Sequence, residues 1–429
     1  MSFMVPRQRI PKFEYKNTNS RSYSSNPGFL DTEAGRLALI VTGSAVCISV
    51  FAYQGYMFFF GPATIYPKEV QKLLRKGGES YLQIGEKRDL ELAAKYYTEA
   101  LEIMDNIATE NEKGSTASGS GKFSSMKRDD NRITGIEARV AEIYSTSGDY
   151  EKALYYLEDL VSRIFTAEEL AEYTLVVEKL VNSSSAYTKK KSAKIQGELE
   201  KYMRGIGAIN KLAETYEKLG DESKYKGTIF NNDNFDYLSD YNNAETRYTF
   251  CLNTVLGAYS KYYSTIYQPS NGSEMSEITK LFDPKTLPKF LSAYTLTSLL
   301  YNCSNFFSKI EKYDFAYPLL IRSLDLLKPS VDSKKESESC KSCVLMTHLT
   351  NIAILRNDLS DAQIWIDNGL SLSKEYPTNP DCIHSSISLI YDQGHIFEVH
   401  NIYITFIIIY HHLIDLTNNH MYLNHIAEK

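Results

Sequence analysis

The segment Ile133–Leu160 constrains the fold of this chain most, because it has the pattern of two short amphipathic helices joined by a tight turn. Gly148 and Asp149 separate the two helices, since Gly accepts the left-handed conformation that ends a helix and Asp caps the next one. Apolar or small residues recur in the second helix at three- and four-residue steps, which indicates one buried face. Small residues at Ala141 and Ala153 let the helices cross closely. The segment therefore predicts a packed helix pair.

The same pattern recurs five more times along the chain, with differences in detail. The matching positions are Gly78, Tyr81, Ala93, Tyr97 and Ala100; Ala213, Tyr216, Gly220 and Asp221; Tyr313, Ala316, Leu320 and Ser323; Leu359, Ala362, Ile366 and Gly369; and Tyr391, Gly394 and Phe397. In the third unit, Gly220 and Asp221 predict a turn, and the second helix after Tyr225 matches poorly. Recurrence of this kind is typical of a helical-repeat protein.

The spacing resembles the tetratricopeptide (TPR) repeat. This resemblance implies an all-α, TPR-like helical-repeat solenoid over residues 68–400, in which each helix pair buries its apolar face against its neighbours. A low-complexity stretch, residues 106–131, predicts a linker between the first and second units. Residues 401–429 form an atypical tail with a continuous apolar run at Ile402–Ile409. The tail is either a divergent end or a gene model that reads into non-coding sequence.

The N-terminal residues 1–36 are basic and rich in hydroxyl side chains, and they carry few acids. This composition is typical of a mitochondrial targeting segment. Arg21 is the third residue before the bond between Tyr23 and Ser24, as in a matrix-processing site. We therefore predict a presequence that is cleaved after Tyr23. A disordered basic tail is the alternative.

Leu37–Phe60 contains no charged residue and predicts one transmembrane helix, residues 37–61. At about 1.5 Å per residue it is long enough for a hydrocarbon core of roughly 30 Å. Gly61 and Pro62 end the segment. A buried core helix is the alternative, although such helices rarely lack charge over this length. The repeats are therefore expected on one side of a membrane.

The charges on the two sides of this span favour opposite orientations. The basic N terminus favours a matrix-side start with the repeats in the intermembrane space. If the chain is cut at Tyr23, the basic residues of the other flank, Lys68, Lys72, Arg75 and Lys76, dominate and the positive-inside rule reverses the orientation. Because import fixes the topology of an imported protein, we predict a single-pass inner-membrane protein with its C-terminal domain in the intermembrane space.

Charge and motifs exclude several classes of function. The net charge of −6 and a pI near 5.9 argue against a nucleic-acid partner. The sequence has no phosphate-binding loop, no dinucleotide fingerprint, no nucleophile elbow and no zinc-protease motif. We therefore predict a protein that is not an enzyme and needs no cofactor.

Cys340 and Cys343 form a lone CxxC with His348 nearby. Four zinc ligands at the usual spacing are absent, because Cys303 and Cys382 come from other repeats, and no metal site is predicted. Two readings stay open for the CxxC: an oxidised pair in an oxidising compartment, or two unrelated thiols at a helix start.

In TPR proteins, positions five, six and nine of each first helix face the concave surface. With the small residue at position eight, the candidate groove residues are Arg139 and Glu142; Asn210, Lys211 and Glu214; Tyr301, Asn302 and Asn305; and His348 and Asn351. An amide-rich lining suits hydrogen bonding to an extended backbone. The alternative is that these are solvated faces of surface helices. Acidic Glu79 and Glu142 at position nine disfavour docking of a chaperone's terminal carboxylate.

A basic start, one span and a TPR solenoid together resemble the TPR-bearing adaptor subunit of the mitochondrial inner-membrane i-AAA protease, a fungal type. The resemblance implies an adaptor in a hetero-oligomeric complex that recruits unfolded or membrane-protein clients to AAA protease subunits. Two alternatives stay open: an outer-membrane TPR import receptor, and an inner-membrane scaffold or assembly factor for a respiratory complex.

Overall fold

The computed structural model describes residues 65–82, 89–113, 123, 126–189, 193–230, 237–266, 287–288, 290–327 and 336–398. The predicted presequence with its predicted processing site at Arg21, Tyr23 and Ser24, the predicted span at 37–61 and the tail at 401–429 lie outside these residues. Every regular element in the described ranges is a helix, and all of these helices belong to one compact unit that begins at Tyr66. None of the helices described is both long and apolar enough to cross a membrane.

The described residues form thirteen α-helices. In chain order they are α1 (Lys68–Leu82), α2 (Leu90–Glu112), α3 (Asn131–Ser147), α4 (Tyr150–Ile164), α5 (Ala167–Ala171), α6 (Tyr173–Lys189), α7 (Ala193–Phe230), α8 (Tyr237–Ile266), α9 (Ala293–Lys309), α10 (Tyr313–Leu327), α11 (Glu336–Leu355), α12 (Leu359–Ser373) and α13 (residues 380–398).

Four of the predicted helix pairs are present: α1 packs on α2, α3 on α4, α9 on α10 and α11 on α12. The residues at the turns explain why the chain reverses direction between paired helices. Gly148 ends α3 with φ of 83°, and Asp149 then caps α4 by accepting from the backbone N–H of Lys152. At the turn into α12, Asn357 takes the left-handed conformation with φ of 60° and Asp358 is the cap. At both turns a residue in the left-handed conformation ends one helix, and the aspartate after it caps the next helix.

The third unit differs from the prediction. Helix α7 runs through Gly220 and Asp221 without a turn, and its partner is α8 instead of a helix after Tyr225. A Cβ on Gly220 would lie 2.7 Å from the ring of Tyr241, so the glycine permits α8 to cross α7 closely. The Tyr241 hydroxyl donates to Asp221 over 2.7 Å. Both residues therefore serve the helix crossing, and the predicted turn was wrong.

Helices α5 and α6 are an insertion in the repeat order. Helix α4 packs directly on α7, so the second unit continues into the third, while α6 packs against α7 and α8. One apolar core runs through the units on both sides of this insertion, from Ala141 to Ile352. The insertion adds Val176 and Leu180 to that core, where both are fully buried.

The linker between the first and second units is shorter than residues 106–131. Helix α2 continues to Glu112 because Ala108 extends its buried face. At the other end of the linker, Met126 is buried, and the Asn111 side chain donates to the carbonyl of Phe123 over 2.7 Å. The low-complexity composition therefore predicted a linker that is longer than the one between the packed residues of the first and second units.

Candidate peptide-binding groove

A cavity of about 650 Å³ lies along α9, α11 and α13, the first helices of three successive units. We call it the C-terminal groove. Its lining residues are Tyr301, Ser304, Asn305, Ser308, Lys309, Leu320, His348, Asn351, Ile352, Ile354, Leu355, Tyr391, Asp392 and His395. Amide, hydroxyl and imidazole groups thus share the lining with aliphatic side chains.

Four of the predicted groove residues meet in this cavity: Tyr301, Asn305, His348 and Asn351. The Tyr301 hydroxyl lies 2.9 Å from Nε2 of His348, and the two rings meet edge to face. Burial lowers the pKa of His348, so its imidazole is neutral near pH 7. Asn305 and Asn351 are exposed at the groove surface. The positional rule therefore selected four residues of the fourth and fifth units that line one cavity, but Asn302 is not among them.

Three lining residues on α13 were missed: Tyr391, Asp392 and His395. With Gly394 at position eight, they occupy positions five, six and nine of the sixth unit. The rule that found Tyr301 would have found them too, had it been applied to this partial repeat.

Asp392 brings a carboxyl group with an unpaired, buried oxygen to the groove. Its Oδ2 atom is buried and has no hydrogen-bond partner among the described residues. Burial raises the pKa of Asp392, and His395 opposes this effect. An incoming hydrogen-bond donor or cation would satisfy this oxygen.

Lys309 does not neutralise Asp392, because it is engaged by α7. Its Nζ pairs with Glu217, which is largely buried, and lies 2.7 Å from the carboxylate of Asp221. The Tyr248 hydroxyl donates to the same Glu217 over 3.0 Å. This network ties the third unit to the fourth and engages Lys309 away from Asp392.

The predicted residues of the second and third units are not among the lining residues of the C-terminal groove. Arg139 pairs with Glu142 over 2.6 Å, and Lys211 pairs with Glu214 over 2.9 Å, each within one helix. Both pairs are half-exposed, so they contribute about 0–1 kcal/mol each.

Two further predicted residues stand apart from this groove. Asn210 lies on α7, and its buried Oδ1 atom has no hydrogen-bond partner among the described residues. Asn302 lies on α9 outside the groove lining. The ten predicted positions therefore separate into a groove set of four and six that lie elsewhere.

The cysteines are arranged differently from either reading of the CxxC. Cys340 forms a disulfide with Cys382, while Cys343 is free and buried. Cys382 belongs to α13, and packing of α13 against α11 brings it to Cys340. Within the described ranges, no group of three His, Cys, Asp or Glu side chains is arranged to hold a metal ion.

No family model matches the sequence, and no curated protein matches it. Solved structures with a similar course of the chain include BtubC (BKLC) from P. vanneervenii, with 11% identity, a TM-score of 0.37, and coverage of 73% of this chain and 92% of that one. The TPR2AB domain of yeast Sti1, in its complex with pHSP90, has 13% identity, a TM-score of 0.19, and coverage of 75% and 98%. The assembly chaperone of RpL4 (Acl4) has 13% identity, a TM-score of 0.29, and coverage of 77% and 99%. The fold assignment rests on the successive packed helix pairs described above.

Proposed function

We propose that this chain is a membrane-anchored adaptor, without chemistry of its own, that holds an extended segment of an unfolded or membrane-protein client in the C-terminal groove. The observation that supports this most is the convergence of three consecutive first helices on one cavity with a mixed polar and apolar lining. Consecutive repeats offer a groove in which an extended chain can contact each unit in turn.

The groove chemistry favours a peptide ligand. Asn305 and Asn351 carry amides that both donate and accept, so they can pair with a peptide backbone whatever its sequence. The cavity volume of about 650 Å³ lies in the range of small-ligand sites, roughly 300–1,000 Å³, and suits a few residues of extended chain. Asp392 adds a preference for a basic side chain, because pairing would relieve its buried oxygen.

The destination of the client rests on the layout of the chain. A basic start, the uncharged segment Leu37–Phe60 and a helical-repeat domain support anchoring in the mitochondrial inner membrane with the solenoid in the intermembrane space. The adaptor then presents clients to the subunits of the i-AAA protease within a hetero-oligomeric complex.

The experiment that tests this proposal is purification of the tagged full-length chain from mitochondria in mild detergent. We expect AAA protease subunits and unfolded clients to copurify with the tagged chain. The variant Asn305→Ala/Asn351→Ala/Asp392→Asn should lose clients and keep the protease. Recovery with the outer-membrane import machinery would instead identify an import receptor. Recovery with respiratory subunits alone would identify an assembly factor. Protease protection in intact and ruptured mitochondria reports the side on which the solenoid lies.

A further inference from the structure

Three cysteines from two helices meet in one buried cluster at the end of the solenoid. Cys340 and Cys343 lie one turn apart on α11, and Cys382 lies in the first turn of α13. All three are at most 1% exposed. Cys340 and Cys382 form the disulfide, and the Sγ of Cys343 lies 3.8 Å from the Sγ of Cys382. The free thiol thus nearly contacts a sulfur of the existing bond.

We propose that these residues form an internal thiol–disulfide exchange site in which Cys382 passes between Cys340 and Cys343. The Cys343 thiolate attacks the Sγ of Cys382, a new Cys343–Cys382 bond forms, and the bond to Cys340 breaks. Cys340 leaves as a thiolate and takes up the proton that Cys343 released. One disulfide is consumed and one is formed, so the exchange needs no oxidant or reductant.

The exchange couples to the C-terminal groove through α13. Moving the attachment point on α11 from position 340 to position 343 displaces it by three residues, about 4.5 Å along the helix axis. The same α13 carries Tyr391, Asp392 and His395 into the groove. The two disulfide pairings therefore attach α13 to two points of α11 that are three residues apart.

The surroundings make the exchange slow at neutral pH. Burial raises the pKa of Cys343 to about 11, and the nearby Glu375 carboxylate acts in the same direction. Leu372 and Tyr376 cover the cluster. At pH 7 roughly one thiol in ten thousand is then ionised, and this fraction rises tenfold per pH unit. Each pairing is therefore long-lived at neutral pH and interconverts faster in alkali.

Peptide mapping tests the proposal directly, because Lys341 lies between Cys340 and Cys343. Samples of the full-length protein are shifted from pH 7 to a series of buffers between pH 7.5 and 9.5 and are quenched in acid after increasing times. Each sample is then unfolded, and its free thiols are alkylated with N-ethylmaleimide at pH 6. Tryptic cleavage after Lys341 then places the two cysteines in different peptides. We expect a Cys343–Cys382 linked peptide whose initial rate of appearance rises about tenfold per pH unit.

Matched variants complete the test. Cys343→Ser should keep the Cys340–Cys382 bond at every pH. Cys340→Ser, supplied with oxidised glutathione as the oxidant, should form Cys343–Cys382. Cys251→Ser, which removes a buried thiol elsewhere, should leave the rate unchanged. The proposal is overturned if Cys343 of the parent is fully alkylated at every pH, or if Cys382 is recovered free. Because the parent alone decides between these outcomes, a variant that fails to fold does not weaken the test.

Discussion

The Tyr301 hydroxyl lies 2.9 Å from Nε2 of His348, and this contact joins the first helices of the fourth and fifth units inside the C-terminal groove. The ring centroids are 5.1 Å apart in an edge-to-face arrangement. A half-buried, neutral imidazole therefore takes part in fixing the spacing of two groove walls. That spacing should respond to acid, because protonation would place a charge in this half-buried position.

We expect His348 to make the folded state sensitive to acid. Burial lowers its pKa in the folded state, whereas the unfolded residue titrates near 6.5. Below about pH 6.5 the unfolded state therefore binds more protons, and the free energy of unfolding falls as the pH falls. His348→Gln should reduce this loss between pH 7.5 and 5.5 in urea denaturation. The exposed His384→Gln is the control. Equal pH dependence in parent and His348→Gln would contradict the prediction.

Arg163 has more carboxylates around it than one guanidinium can neutralise. Its Nη2 lies 2.8 Å from Asp105 and 2.6 Å from Asp159, and its Nε lies 3.0 Å from the fully buried Glu137. Burial is the main reason that the pKa of Glu137 is raised to about 9, and the neighbouring Asp159 adds to it. Glu137 is therefore protonated in the folded state at neutral pH.

The sign of the resulting pH dependence follows from linkage. Between about pH 4.5 and 9 the folded state keeps a proton on Glu137 that the unfolded state has lost, so the free energy of unfolding falls as the pH rises. Glu137→Gln should remove this dependence, at most about 1.4 kcal/mol per pH unit, and should stabilise the protein at pH 8.5 relative to the parent. Urea midpoints at pH 6, 7 and 8.5 measure it, with the exposed Glu151→Gln as control. A parent that is equally stable from pH 6 to 8.5 would contradict it.

Two glycines of α7 should respond to alanine with opposite signs. Gly220→Ala places a Cβ 2.7 Å from the ring of Tyr241 and should cost about 1–3 kcal/mol, as overpacking does. At exposed Gly207 a Cβ meets nothing within 4 Å, so Gly207→Ala should stabilise by about 0.4–1 kcal/mol. Denaturant midpoints measure both. A neutral or stabilising Gly220→Ala would show that α8 does not cross α7 closely.

The contrast between Gly148 and Gly220 shows what the sequence alone can predict. Both precede an aspartate, but only Gly148 ends a helix. At Gly148 the turn depends on the residues of the turn itself, and these can be read from the sequence. At Gly220 the outcome depends on Tyr241, which packs there from the next helix. Four of the helix pairs were therefore predictable, and the third unit was not.

The candidate site divides in the same way. Positional matching identified Tyr301 and His348, because equivalent first-helix positions of the fourth and fifth units meet in the C-terminal groove. It could not show that Arg139 is paired within its own helix. The Cys340–Cys382 bond was also beyond reach, because the packing of α13 on α11 decides which cysteines meet.

Single changes in the groove should be mild. Each hydrogen bond to an extended client contributes about 0.5–1.5 kcal/mol, and recognition is spread over three units. Asn305→Ala or Asn351→Ala should therefore weaken client binding only a few-fold, without releasing the protein from carbonate-extracted membranes.

Extraction of the parent into the supernatant would contradict the predicted anchor at Leu37–Phe60.

The most direct test of the groove is fluorescence anisotropy with a fluorescein-labelled, unfolded client peptide that contains one central lysine. The full-length parent is compared with Asn305→Ala/Asn351→Ala/Asp392→Asn and with a matched control, Arg139→Ala/Asn302→Ala, whose positions lie outside the groove lining. We predict that the triple variant weakens binding by at least about tenfold, because three lost contacts exceed 1.4 kcal/mol together. The control should bind like the parent. A folded triple variant with the parent's affinity would show that clients are not held in the C-terminal groove.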